Sequence, residues 1–135
     1  MFRTGDRKVA RTGRLESLPY DQNIGGIAWN TCPDPTTAAD QVTCFSNSSP
    51  LVELLAPGAM STSSGPGGGT LTQGGTSQAT PHVAGAAAVL LQARPGLRPG
   101  EIIGVLSQTG VLVTDRKNGL VVPRINVRAA LDAVR

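Results

Sequence analysis

The sequence predicts an α/β layer structure, and three observations carry that expectation. Short apolar runs of strand length alternate loosely with longer stretches of helical pattern. Aromatic residues make up only 3% of the chain while it holds 17 glycines and 10 prolines, so the core has to be built from small aliphatics and close backbone contacts. With 135 residues, 39% of them apolar and 16% charged, the chain is one domain or a piece of a larger one, and not charge-rich disorder.

Residues 1–16 show no strand or helix period and read as a separate basic tract, disordered, ahead of a domain spanning 17–135. Residues 24–29 and 42–45 read as short strands flanking a cysteine loop. The run Leu51-Val52-Glu53-Leu54-Leu55 is a candidate buried strand, stopped by Ala56-Pro57-Gly58. Residues 61–69 are Ser, Thr, Gly and Pro alone, which predicts an exposed flexible loop; it has no Lys-Ser/Thr pair to make a phosphate cradle.

A long helix follows, ended by Arg94-Pro95-Gly96. Pro81 is tolerated only in a first helical turn, where its missing N–H is not needed, so this helix starts near Ser77. Its body, from Val83 through Ala88, is apolar or small on every side, which predicts burial all round. A second helix starts at Pro99, with Glu101 in its first turn, Ile102, Ile103, Val105 and Leu106 as apolar positions, and Gly110 as its stop. Residues 111–113 and 120–122 read as strands around the turn Lys117-Asn118-Gly119, and Asn126 caps a final amphipathic helix over 127–134.

Lys and Arg number 12 against 9 Asp and Glu, and Arg3, Arg7, Lys8, Arg11 and Arg14 crowd the start. No aromatic beyond Phe2 is interleaved for base stacking, so the tract reads as a solvated start and no nucleic-acid partner is expected. No apolar run follows the charges, so no signal peptide is expected, and the apolar stretch 86–91 is too short to cross a bilayer; no membrane partner is expected. Cys32 and Cys44 share the chain with one histidine, so a Cys/His zinc site lacks ligands and no metal is expected. The cysteine spacing permits a disulfide, worth about 3 kcal/mol on the chain-entropy account, which would place the chain in an oxidising compartment. Two buried free thiols are the alternative.

Why a serine stands after two glycines, at a helix start, has two answers. Ser77 is an ordinary helix cap, or it is a nucleophile whose neighbouring N–H groups and positive helix end stabilise an oxyanion. Gly-Thr-Ser alone favours the cap. The longer string Gly75-Thr76-Ser77-Gln78-Ala79-Thr80-Pro81-His82-Val83-Ala84-Gly85 closely resembles the nucleophile signature of the subtilisin-like serine proteases, Gly-Thr-Ser-x-Ala-x-Pro-His-Val-Ala-Gly. Phe45-Ser46-Asn47 and Ala56-Pro57-Gly58 resemble the family's approach to that signature, and the downstream helices and residues 119–131 resemble its carboxy-terminal portion. An α/β-hydrolase elbow, Gly-x-Ser-x-Gly, is set aside because position 79 is Ala79.

The resemblance implies a partial subtilisin-like fold, the later strands of a parallel sheet with a buried nucleophile helix. It implies a serine endopeptidase of polypeptide substrates in which Ser77 attacks the scissile carbonyl, with Gly75 and Thr76 lining the nucleophile turn. Gly74 stands where many relatives have Asn. A serine needs a base and an acid that orients it, and in this family both precede the serine. No histidine precedes Ser77, no Asp-Thr-Gly or Asp-Ser-Gly occurs, and no Asn follows a glycine to donate to the oxyanion. His82 lies roughly 140° around the helix axis from Ser77, so it is not the base and is expected to pack against backbone groups.

The expectation is therefore a carboxy-terminal part of a catalytic domain, inactive alone, whose catalytic Asp and His are encoded elsewhere, on a complementing fragment, or lost. The basic start fits a shifted reading frame or an incomplete gene. A non-catalytic remnant or interaction module that keeps the scaffold is the alternative. Calcium and an extracellular location follow from the resemblance only; no acidic cluster has cation-ligand spacing, so no cofactor is evident.

Overall fold

The computed structural model describes residues 10–13, 27–28, 32–34 and 38–135. In chain order these form strands β1 (Ala10–Gly13), β2 (Ile27–Ala28), β3 (Pro33–Asp34), β4 (Leu55–Ala59), β5 (Ser61–Ser64) and β6 (Thr70–Gln73), then helices α1 (Thr76–Ala93) and α2 (Pro99–Gln108). Strands β7 (Val111–Thr114) and β8 (Val121–Arg124) and helix α3 (Val127–Val134) complete the order. The main sheet runs β1-β4-β8-β7, with β1, β4 and β8 parallel and β7 antiparallel to β8. The chain is thus α/β with parallel strands and helices, as the sequence predicts.

Two sequence expectations about strands move by a few residues. The strand expected at 51–55 is instead β4, which begins at Leu55 and continues through Ala56, Pro57 and Gly58. Pro57 is admitted for a geometric reason. Leu55 faces β8, where its carbonyl accepts from Ile125 N at 2.9 Å, and alternation turns Pro57 the same way. Ladder pairing to β8 is confined to Leu55, so no donor is required at Pro57. The expected loop 61–69 is the hairpin β5–β6, in register from Ser61 opposite Gln73 to Ser64 opposite Thr70, with only its tip, Gly65–Gly69, irregular. Its strands are polar except for the exposed Leu71 and have no buried face, so no alternation marks them; Gly67 and Gly68, at φ of 77° and 86°, supply the left-handed turn at the tip.

Near the start, β1 falls within the tract expected to lack structure, and its backbone pairs with β4 from Ala10 opposite Leu55 onward. Pairing of this kind uses groups that every residue carries, so no side-chain pattern announces it. The rest of residues 1–16 lies outside the described residues, as do 24–26 and 29 of the strand expected at 24–29. Of that strand, Ile27 and Ala28 pair with β3. Residues 42–45 form a single bridge at Val42 followed by a turn in which Ser46 N donates to Thr43 O at 3.0 Å. Cys32 and Cys44 are disulfide-bonded, with Cα atoms 6.1 Å apart, and Asp34 Oδ1 accepts from Cys44 N across the same loop.

Alternation along the strands separates two cores. Leu54, Ala56 and Ile125 face the three helices, meeting Ala86, Leu90, Ile102 and Leu106. Leu55, Val113 and Val122 face the other way and are closed by Val52, Val42 and Leu120. Leu55, Leu90, Ile102 and Leu106 are fully buried, each contributing about 1.5–3 kcal/mol of transfer free energy. Helix α1 buries one stripe, Ala79, Ala86, Ala87 and Leu90, at helical spacing. Burial all round does not extend to its other side: Ala84, Gly85, Ala88, Val89 and Leu91 are exposed, because nothing among the described residues lies over them.

Pro81 is the exception to the local signals: it is the sixth residue of α1, inside the helix and past its first turn, so Ser77 O lacks the N–H that a helix would offer it at position 81, while the other signals end the elements where the sequence predicts. Arg98 N–H donates to Glu101 Oε2 at 2.7 Å, a capping contact that starts α2 at Pro99. The Arg98 guanidinium, bonded to the same carboxylate, holds Glu101 below the usual carboxylate range. Gly110 fills the exit from α2, where a Cβ would lie 2.8 Å from Pro123 Cβ and 2.9 Å from Arg124 O. Gly119, at φ 74°, turns the β7–β8 hairpin, and Asn126 Oδ1 accepts from Ala129 N to start α3.

Candidate active site

The candidate site is assembled where the start of α1, reached through the β5–β6 hairpin, returns to the end of β4. Gly75 N donates to Gly58 O at 2.8 Å, pinning the turn before α1 to the end of the parallel strand. Helix α1 then begins at Thr76, so Ser77 is its second residue, and its side chain is exposed. Gln78 N is occupied by Gly75 O at 3.0 Å, which leaves the N–H groups of Thr76 and Ser77 as those that helix geometry provides with no acceptor inside the helix. Two free amides beside an exposed hydroxyl, at the positive end of an 18-residue helix, are the elements of an oxyanion site.

The side chains around Ser77 hold this turn and leave the hydroxyl alone. Thr80 Oγ1 donates to Thr76 O at 3.1 Å, and Gln78 Nε2 donates to Gln73 Oε1 at 3.2 Å, tying α1 to β6. Ser77 Oγ has no hydrogen-bond partner among the described residues. His82 is exposed, and its Nδ1 lies 2.7 Å from Gln78 O, turned back along its own helix. The backbone contact is the one expected of it; the expected packing is not found, since no element among the described residues covers that side of α1. Gly75 and Thr76 flank the serine at half-buried positions.

Four acidic side chains among the described residues are engaged away from Ser77 and His82. Asp40 pairs with Arg124, Glu101 with Arg98, Asp132 with Arg128, and Asp115 with Ser48 and Lys117. Among the described residues no cluster of His, Cys, Asp and Glu could hold a metal ion, and no helix is long and apolar enough to cross a membrane. Cys32 and Cys44 sit in the loop before β4, away from this turn in the chain, and act there as a cross-link. The Ser48–Asp115–Asn118 contacts and the Lys117 contact with Ser46 O join segments about 70 positions apart, and no sequence signal marks them.

The turn and helix that present Ser77 lie within a longer similarity, since residues 17–125 match the family model for the subtilase family. The chain belongs to the subtilase family. Among curated subtilases, it is 45% identical over 105 residues to Subtilisin-like protease 1 of Arthroderma gypseum, covering 78% of this chain and 20% of that protein. It is 41% identical over 75 residues to Subtilisin-like protease 3 of Trichophyton equinum, covering 56% of this chain and 18% of that protein. Among solved structures it resembles a cold-adapted subtilisin-like serine proteinase, at 41% identity and a TM-score of 0.59 over 66% of this chain and 33% of that one. It also resembles the patellamide maturation protease PatA, at 34% identity and a TM-score of 0.55 over 69% of this chain and 38% of that one. The chain thus spans about a fifth of the length of these curated subtilases.

Proposed function

We propose that this chain carries the nucleophile portion of a subtilisin-like serine endopeptidase. In this reading Ser77 Oγ attacks the carbonyl carbon of a peptide bond, its proton passing to an imidazole supplied from outside the 135 residues. The tetrahedral oxyanion is met by the Ser77 N–H at the start of α1. Collapse expels the amine, which takes the proton back from the imidazole, and water then hydrolyses the acyl-Ser77 ester. Gly75 and Thr76 shape the turn that offers the hydroxyl. Substrates are polypeptides, and the location is extracellular, a reading that the Cys32–Cys44 bridge supports.

The observation that carries the reading is the exposed Ser77, without a hydrogen-bond partner among the described residues, as the second residue of α1 in a turn pinned by Gly75 N to Gly58 O. Alone the chain should turn over little or nothing. In subtilisin itself, loss of one member of the catalytic triad costs about 10⁴ to 10⁶ in kcat, a scale taken from that enzyme. The complementing segment would supply the imidazole and its carboxylate, and the exposed side of α1 is apolar enough to receive a packing partner.

A non-catalytic remnant is the second reading, favoured by a single observation: the chain's one histidine is bonded to Gln78 O. A fluorophosphonate probe separates the two. Labelling of the full chain, supplied with the amino-terminal part of a related subtilase domain, is expected at Ser77 and absent in Ser77→Ala. Labelling at the same low level in both proteins would favour the remnant.

A further inference from the structure

The loop that carries the disulfide and the β7–β8 hairpin meet at one ammonium. Lys117 Nζ is hydrogen-bonded to Ser46 O, and it lies 3.5 Å from Thr43 O, 3.5 Å from Cys44 O and 3.6 Å from Asp115 Oδ2. Three carbonyls within four residues point at the same atom because the chain reverses there, through the Ser46 N to Thr43 O bond, while the bridge to Cys32 holds Cys44. Asp115 is 4% exposed, and its carboxylate is fixed on both oxygens. Oδ1 accepts from Lys117 N at 2.9 Å, and Oδ2 accepts from Ser48 Oγ.

Carbonyl oxygens and one carboxylate are the donor set of a hard cation. Backbone carbonyls gathered in this way repel one another unless positive charge lies among them, and an ammonium has only three protons for these four oxygens. A fifth oxygen belongs to the same turn: Thr43 Oγ1 is buried with no hydrogen-bond partner among the described residues. We propose that Lys117 is a tethered cation seated in an oxygen cradle formed by Thr43, Cys44, Ser46 and Asp115, and that the cradle takes up a free hard cation once the ammonium is withdrawn. The lysine does here what a bound ion would do, clamping the disulfide loop to the hairpin. The loop leads directly into Val52 and Leu55, which pack on Val113 and Val122, so the clamp closes the core on that face of the sheet.

Two measurements on the full chain test this. Amine acylation followed by mass spectrometry reads Lys117 in the native and the urea-unfolded protein. The seated ammonium should react at least about tenfold more slowly in the native state, since it must leave its oxygens to react; equal rates would overturn the proposal. The second measurement is thermal unfolding of Lys117→Ala in calcium chloride at about 10 mM, and in potassium chloride against choline chloride of equal ionic strength. The variant's midpoint should rise by several degrees with one of the two cations while wild type and Lys117→Arg stay put. No rise in the variant, or an equal rise in wild type, would overturn it. Should Lys117→Ala be unfolded under every salt, the acylation ratio of the wild type decides alone.

Discussion

Adding one methyl group at two glycines of the same segment should move stability in opposite directions. Gly104 lies inside α2, where a Cβ would meet nothing within 4 Å. Gly104→Ala therefore removes only the conformational freedom of glycine in the unfolded chain and should stabilise by about 0.5–1 kcal/mol. Gly110, six positions on, is boxed in: an added Cβ would sit 2.8 Å from Pro123 Cβ, 2.9 Å from Arg124 O and 3.0 Å from Leu106 O. Carbon atoms prefer about 3.5–4.0 Å, so the approach to Pro123 is short by about 0.7 Å or more. Two of the three atoms belong to backbone and cannot rotate away. Relief requires β8 to shift from the end of α2, and overpacking of this kind costs about 1–3 kcal/mol. Urea unfolding of the two variants and the wild type, read by circular dichroism, gives both differences from the midpoints at unchanged slope. A Gly110→Ala protein as stable as Gly104→Ala would refute the close contact between the exit of α2 and β8, and with it the packing of that helix on the sheet.

Other expectations concern the core and the cap. Leu90, fully buried among Ala56, Ile102 and Leu106, should cost about 2–5 kcal/mol when truncated to alanine, whereas Leu112→Thr, at 70% exposure on β7, should fall within about 0.5 kcal/mol of wild type in the same urea assay. Equal costs would mean that the exposed side of β7 is covered. Glu101 is held below its ordinary value by Arg98, so its contribution to α2 is present above the unfolded carboxylate range and is lost as pH falls through the lowered folded value. The stability difference between wild type and Glu101→Gln should therefore be seen at neutral pH and vanish in acid; a difference that grows on acidification would contradict the cap.

The readable parts of this chain were those whose causes lie within a few residues of one another. The glycine turn before Ser77 marks the start of α1, Pro99 and Glu101 that of α2, Asn126 that of α3, and Gly119 turns the last hairpin, whereas Pro81 lies inside α1 and not in its first turn. Elements that carry no such local mark depend on partners far away in the chain. Strand β4 runs on from Leu55 to Ala59 because it pairs there with β1, more than 40 positions away in the chain, and the tolerance of Pro57 depends on where β8 stops pairing. The hairpin β5–β6 had no buried face to leave an alternation. His82 was expected to pack, yet the side of α1 that carries it is open among the described residues.

Residue order along the chain was enough to place this protein in its family and to put Ser77 at a helix start, because the glycine turn and the serine are near neighbours and their geometry is local. The packing of distant segments is what anchors Gly75 on Gly58, leaves one side of α1 open among the described residues, and seats Lys117 among the oxygens of residues 43–46. Gly58 O and the oxygens that meet Lys117 Nζ on residues 43–46 are backbone carbonyls, which every residue possesses alike, so which of them is met is set by where the chain returns and leaves no mark in the sequence.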